Sequence, residues 1–177
     1  MAAMLKTIAA VAAAGVGAVL LYAATRPDSF RVARSITVQA PAGKLHALIA
    51  DLHQFNTWNP FEKGDPQARG EYAGPATGAG ATYAFGGGKA GSGSLRILDS
   101  APTRVSMELH MREPLEARNH VQFTLQPRGD ATEVTWSMEG PSPYVSKLIG
   151  VFMDMDRMVG SQFESGLADL KQRAERT

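Results

Sequence analysis

The hydrophobic pattern of this chain falls into an uncharged run, a series of alternating segments and a final helical stripe. Alternation of apolar and polar residues with a period of two predicts strands that are buried on one face and solvated on the other. The clearest alternating segments are residues 30–39, 105–112, 120–126 and 133–139. Short turns separate the later segments, so they predict an antiparallel meander.

Two further segments have the three- and four-residue spacing of amphipathic helices. The first, residues 45–52, follows Pro41, which ends the preceding strand and suits the first turn of a helix. The second is a long apolar stripe over residues 145–170. Gly150 and Gly160 are expected to bend or divide that helix.

The middle of the chain, residues 65–93, is rich in glycine and proline. It predicts two short strands, 68–73 and 81–85, joined by turns, and a further strand opens at residues 95–98. The order is therefore strand, short helices, antiparallel strands and a long carboxyl-terminal helix. This order predicts an α+β fold in which a curved antiparallel sheet wraps a long helix and leaves a hollow between them.

The uncharged run is residues 7–25, TIAAVAAAGVGAVLLYAAT. As a helix it would span about 28 Å, close to the thickness of the hydrocarbon core of a bilayer. The alternative is a cleaved signal peptide, but Leu21 and Tyr22 would then occupy a position that favours a small residue. We therefore expect a single-pass anchor with its flank in residues 1–26, a folded domain in residues 27–177, and a location at the cell membrane. The flanking charges leave open which side carries the domain.

The composition of the chain excludes several classes of function. The chain has 177 residues and no cysteine, which excludes disulfides, a thiolate nucleophile and cysteine-ligated metal sites. The formal net charge is +1 and no basic run is present, so nucleic acid is not an expected partner. Nothing in the composition or the motifs bears on the oligomeric state.

Motifs for metal, phosphate or acid–base chemistry are weak. The four histidines do not have the spacing of a zinc site, so no metal and no cofactor is predicted. Residues 86–89, GGGK, are followed by Ala90 and by a strand, whereas a phosphate-binding loop needs Ser or Thr and a helix. Arg34 interrupts the apolar side of the first strand, so it is the first ionisable residue to consider inside the fold.

The candidate site is a set of aromatic, methionine and aliphatic residues on the strands, on the last helix and in an aromatic turn at residues 55–61. Soft methionine side chains and flat rings adapt to irregular apolar ligands, although an ordinary packed core uses the same residues. The members are Trp58, Phe61, Tyr83, Phe85, Met107, Leu109, Met111, Phe123, Trp136, Met138, Phe152, Met155, Val159 and Phe163.

Several segments together resemble the SRPBCC or START-like superfamily, also called Bet v 1-like. They are FRVARSITVQAP before a helix, the turn WNPF, GAGATYAF and GSGSLRI in the middle strands, and VFMDMDRMVGSQFESGLADLK in the last helix. Within the superfamily the chain is similar to membrane-anchored polyketide cyclase/dehydrase-type proteins of bacteria. The resemblance implies a helix-grip fold and binding of lipids, sterols or polyketides. It implies no catalytic residue, because the family has no universal set.

Three functions are compatible with this sequence. The first is binding or transfer of a hydrophobic small molecule, lipid-like or polyketide-like, in an internal cavity held at a membrane by residues 7–25. The second is an enzyme, a cyclase, dehydratase or hydrolase, that acts on a hydrophobic substrate in the same cavity and needs an ionisable group there. The third is a structural module whose own side chains fill the cavity.

Overall fold

A computed structural model of the chain describes residues 2–63, 67, 69–88 and 91–176. The elements are α1 (Ala2–Ala24), β1 (Ser29–Val38), α2 (Ala42–Ala50), α3 (Leu52–Asn56), α4 (Pro60–Lys63), β2 (Arg69–Ala73), β3 (Thr82–Gly88), β4 (Gly91–Ala101), β5 (Arg104–Glu113), β6 (Ala117–Arg128), β7 (Ala131–Pro141), α5 (Tyr144–Phe152) and α6 (Met155–Glu175). Within these residues, seven strands form one antiparallel sheet in the order β1-β7-β6-β5-β4-β3-β2. The predicted α+β helix-grip architecture is confirmed.

The sheet is a meander from β2 to β7, and β1 is added beside β7. Irregular register interrupts the pairing of β3 with β4 between Phe85 and Gly88, and the pairing of β4 with β5 at two places. Such bulges bend strands and increase their twist, which curves the sheet. Gly129 has φ 64° in the turn between β6 and β7, a conformation that glycine adopts without strain.

Two helices, α2 and α6, cover the concave face of the sheet. α6 packs mainly on β1 and also on β7, while α2 packs on β5, β6 and α6. The Asp51 side chain accepts a hydrogen bond from the backbone N–H of His53 at 2.8 Å and so starts α3. These contacts form one layer of helices on one face of one sheet.

The carboxyl-terminal apolar stripe is divided at Met153 and Asp154, so the expectation that Gly150 or Gly160 would divide it is wrong. Both residues at the break have extended backbone, and the Asp154 side chain accepts a hydrogen bond from Arg157 N at 2.9 Å to begin α6. Gly160 lies inside α6, where its missing side chain leaves room for the guanidinium of Arg34. The break therefore comes from a new helix start and not from a glycine.

Aromatic rings fill the covered part of the space between sheet and helices. Trp136 and Phe163 stack with centroids 4.2 Å apart, and Trp58 meets Phe123 edge-on at 5.9 Å. The Trp58 indole Nε1 also donates to the carbonyl of Leu48 at 3.0 Å. All four rings are at most 3% exposed, so this part of the predicted hollow is packed core.

Gly166 of α6 is expected not to tolerate a side chain, because rigid rings surround it. A Cβ there would lie 2.8 Å from both Pro60 Cδ and Trp136 Cζ3. We expect Gly166→Ala to lower the free energy of unfolding, because overpacking costs about 1–3 kcal/mol and exceeds the gain in helix propensity. The matched variant Gly43→Ala, whose Cβ would meet nothing within 4 Å, should be neutral or stabilising by up to roughly 1 kcal/mol. Urea denaturation followed by circular dichroism measures both, and an equal response at the two glycines would contradict this packing.

Candidate ligand-binding groove

The concave face of the sheet is packed at one end and partly open at the other. Inward side chains alternate along each strand, and the pairing register aligns them in rows across the sheet. The row containing Trp136 and Phe123 lies under α6, whereas the rows containing Leu109 and Met111 lie nearer the start of β1 and the end of β7. Leu109 and Met111 themselves are only half-buried.

The predicted site residues divide into three groups by burial. Six belong to the packed core: Trp58, Tyr83, Met107, Phe123, Trp136 and Phe163. Five are half-buried: Phe85, Leu109, Met111, Met138 and Val159. Three are on the surface, where Phe61 is 39%, Met155 43% and Phe152 74% exposed. We call the half-buried group, with Phe30 beside it, the groove.

Two members of the predicted set lie elsewhere than the sequence pattern indicated. Trp58 was expected to line a ligand-binding cavity, but it is completely buried, because its indole packs between the sheet and α2 and donates to Leu48. Phe152 was expected on the face that covers the sheet. The break before α6 turns its helix away, and α5 packs against α1 instead.

Asn119 is a buried polar residue beside the groove, paired across the sheet with Leu109, that the sequence pattern did not indicate. It shares the inward parity of Val121 on β6, is 8% exposed, and its side-chain oxygen Oδ1 has no hydrogen-bond partner among the described residues. The amide lies across Gly140, where a Cβ would collide with it. A polar residue on the apolar parity of a strand was the available signal, the same one that singled out Arg34. An unpaired buried acceptor costs about 1–3 kcal/mol, so it favours a ligand that donates a hydrogen bond.

A buried phenol borders the groove on the β3 side. Tyr83 is 6% exposed and its hydroxyl donates to Glu62 Oε2 of α4 at 2.9 Å. Burial, followed by the hydrogen bond and charge of Glu62, raises the pKa of Tyr83 above its ordinary value. The phenol therefore stays protonated at neutral pH and holds α4 against the sheet.

Arg34 is a clamp between β1 and α6. Its guanidinium donates to Asp156 Oδ2 at 2.9 Å and to Glu164 Oε1 at 2.8 Å, and also to the carbonyl of Ala33 at 2.8 Å. The hydrogen bond from Arg34 keeps the pKa of Asp156 below its ordinary value. Because these donors are engaged, Arg34 fixes β1 against α6.

The open rows lie at the end of the sheet nearest α1. β1 begins at Ser29, and residues 25–28 join it to α1. Asp28 is fixed there, since its carbonyl accepts from Ser142 N at 2.7 Å and its carboxylate accepts from the buried Lys147. That hydrogen bond holds the pKa of Asp28 below its ordinary value. The groove and the end of α1 are therefore neighbours.

Two surface depressions lie outside the groove. One of about 650 Å³ is on the outer face of β5 and β6 and is lined in part by Arg104, Gln122 and Thr124. A smaller one of about 270 Å³ lies between α3 and β2, beside His53 and Tyr72. Their linings mix polar and apolar residues. Among the described residues no group of three His, Asp or Glu side chains is arranged to hold a metal ion.

Fold and groove define a helix-grip domain with an apolar concave face. The chain belongs to the family described as polyketide cyclase / dehydrase and lipid transport, whose sequence profile matches residues 29–175. This family and fold support binding of a hydrophobic ligand, or a polyketide-related role, in general terms. No curated protein is significantly similar in sequence to the chain.

Solved structures with this fold are distant in sequence. Protein CV1439 from Chromobacterium violaceum superimposes with a TM-score of 0.60 at 15% identity, covering 86% of this chain and 100% of its own. CalU16 from Micromonospora echinospora gives 0.57 at 18% identity, covering 83% and 75%. Ara h 8.0201 gives 0.53 at 12% identity, covering 80% and 97%. Identities this low show the fold alone.

Proposed function

We propose that this protein binds an amphipathic small molecule, lipid-like or polyketide-like, in the groove, and that α1 tethers it to a membrane. The observation that carries the proposal is one buried acceptor, Asn119 Oδ1, which has no partner among the described residues and is set among half-buried apolar side chains. An apolar ligand with a hydroxyl or amide donor would cover the apolar side chains and satisfy the acceptor.

Apolar burial and one polar contact would both contribute to the free energy of ligand binding. Each square ångström of apolar surface removed from water contributes about 25 cal/mol, so covering the groove drives binding without directional contacts. The Asn119 oxygen adds direction, because a ligand donor placed there removes the penalty of a buried unpaired acceptor. Ligand pockets commonly combine an apolar lining with a few such polar groups.

The tether is supported by α1. Residues Ala3–Ala24 are long and apolar enough to cross a membrane, and almost all of their surface lies outside the protein core. At about 1.5 Å per residue the helix matches the roughly 30 Å hydrocarbon core of a bilayer. A helix this exposed needs an apolar environment, and a membrane supplies one. The tether would place the groove beside a source of lipid.

An enzymatic role has less support from the groove. Catalysis there needs an ionisable group that can exchange a proton with the substrate. Arg34 is held by two carboxylates. The Tyr83 hydroxyl, whose pKa is raised, donates its hydrogen bond to Glu62. These contacts favour positioning and binding over proton transfer.

Native mass spectrometry of the full chain, released from lipid nanodiscs, tests the ligand proposal. We expect the wild type to retain a small molecule of defined mass. Leu109→Asp should reduce the retained fraction by about tenfold or more, because a carboxylate facing an apolar ligand is strongly unfavourable. Circular dichroism of the variant shows whether the fold is intact.

The matched control is Leu98→Asp, since Leu98 lies on the neighbouring strand β4 and is 48% exposed. It should leave the retained fraction unchanged. Equal loss in the two variants, or no bound molecule in wild type prepared from several membrane lipids, would refute a ligand site in the groove. Asn119→Ala then tests the polar contact, because it should weaken retention only of a ligand that carries a hydrogen-bond donor.

A further inference from the structure

Exposed apolar side chains are concentrated at the junction of α5 and α6. Outside α1, eleven large apolar residues among the described ones are exposed, and seven of them lie between residues 144 and 158. They are Tyr144, Val145, Ile149, Phe152, Met153, Met155 and Met158. A contiguous apolar surface of this kind marks contact with a partner or a membrane.

The apolar side chains of α5 occupy one face of the helix. Val145, Ile149 and Phe152 follow each other at spacings of four and three residues, so they project on the same side. They are 56%, 38% and 74% exposed. On the other side Lys147 is buried and paired with Asp28. The polar side of α5 is thus held against the protein by Lys147, and its apolar side is exposed.

α5 is fixed to the carboxyl-terminal end of α1. The Tyr144 hydroxyl donates to the carbonyl of Leu20 at 2.9 Å, and the Arg26 guanidinium donates to the carbonyl of Gly150. These two contacts show that α5 runs alongside the end of α1 in the same direction. Tyr144 therefore lies at the level of Leu20, roughly 6 Å inside the end of α1 at Ala24.

We propose that the first turn of α5, with Tyr144 and Val145, is inserted into the surface of the same bilayer that α1 crosses, and that its last turn and Met153 lie among the lipid headgroups. This inference rests on the proposed tether. A helix attached inside the end of a spanning segment cannot avoid the interface, and its exposed side chains are of the kind that such helices bury there. Tyrosine at its first turn suits the headgroup region.

Charges around this surface specify what kind of bilayer is needed. Arg26, Arg34 and Arg157 are balanced by Asp154, Asp156 and Glu164, and Lys147 is neutralised by Asp28. Apolar burial is then the driving force, so a neutral phosphatidylcholine bilayer should suffice. The groove opens at this end of the sheet, so insertion of α5 would hold its mouth against the lipid.

Single-cysteine labelling of the full chain tests the insertion, since the protein has no cysteine of its own. The fluorophore NBD is attached at Val145→Cys in the first turn of α5, at Val11→Cys within α1, and at the exposed control Leu98→Cys. Each protein is reconstituted into phosphatidylcholine vesicles with and without brominated acyl chains. We expect the brominated chains to quench the Val145 label, but less than the Val11 label, because Val145 lies only about 5 Å inside the end of α1. The Leu98 label should keep its emission.

The outcomes separate the insertion from the tether. If the Val11 label is quenched and the Val145 label behaves like the Leu98 label, the insertion is wrong and the tether stands. If the Val11 label is not quenched, both are wrong. If iodide in water fails to reach the Val145 label while brominated lipid also fails to quench it, protein covers α5, the insertion is wrong, and the surface belongs to a second copy or another partner.

Discussion

Replacing Trp58 with alanine is expected to lower the free energy of unfolding by about 3–5 kcal/mol, because a fully buried indole is lost and a cavity remains. Trp58 is 0% exposed and contacts Phe55, Phe123 and Trp136 edge-on. Since domains of this size are stable by only about 5–15 kcal/mol, the loss would be a large part of the total. Urea denaturation followed by circular dichroism measures it.

Two variants identify the source of that loss. Phe61→Ala changes an aromatic residue of the same turn that is 39% exposed, and should cost about 1 kcal/mol or less. Trp58→Phe keeps a ring but removes the hydrogen bond to Leu48, so its cost should lie between the two. If Trp58→Ala were no worse than Phe61→Ala, Trp58 would belong to a rim and not to the core.

Placing two lysines in the middle of α1 is expected to release the protein from membranes. Lysine at the centre of a spanning helix costs about 2.5–3.5 kcal/mol, so Ala13→Lys with Val16→Lys should disfavour insertion by roughly 5–7 kcal/mol. We expect the wild type to stay in the membrane fraction after alkaline carbonate extraction and the double variant to move to the soluble fraction.

Thr25→Lys is the matched control, because it adds a charge just after the end of α1, beside Arg26. It should leave the protein in the membrane fraction. The intact mass of the extracted protein decides between an anchor and a signal sequence. A mature chain that lacks the residues of α1 would contradict the tether, whatever the fractionation shows.

The local elements could be read from the sequence because they depend on neighbours in the chain. Alternation over residues 133–139 predicted β7, and Pro41 marked the start of α2. The inward side of each strand also followed from parity, which is why Met107 and Phe123 were expected inside. Resemblance in several such segments was enough to identify the superfamily.

The separation of core, groove and surface could not be read in this way. Met107 and Met111 share a strand and a parity, yet Met107 is fully buried and Met111 is half-buried. The helix that packs on this strand is α2, which comes from a distant part of the chain. Phe152 and Phe163 share one helical stripe, yet Phe163 is 1% and Phe152 74% exposed, because Asp154 starts a new helix between them. Periodicity tells which side of an element is apolar and carries no information about what covers it.

The sequence by itself therefore determined the elements, their apolar sides, the superfamily and a candidate membrane helix. Tertiary structure alone decided that Arg34 is a clamp, that Asn119 is a buried acceptor with no partner in the described part of the chain, and that α5 lies beside the end of α1. Each of these depends on contacts between residues far apart in the chain. Such contacts arise only when the helices settle on the sheet, so no local pattern encodes them.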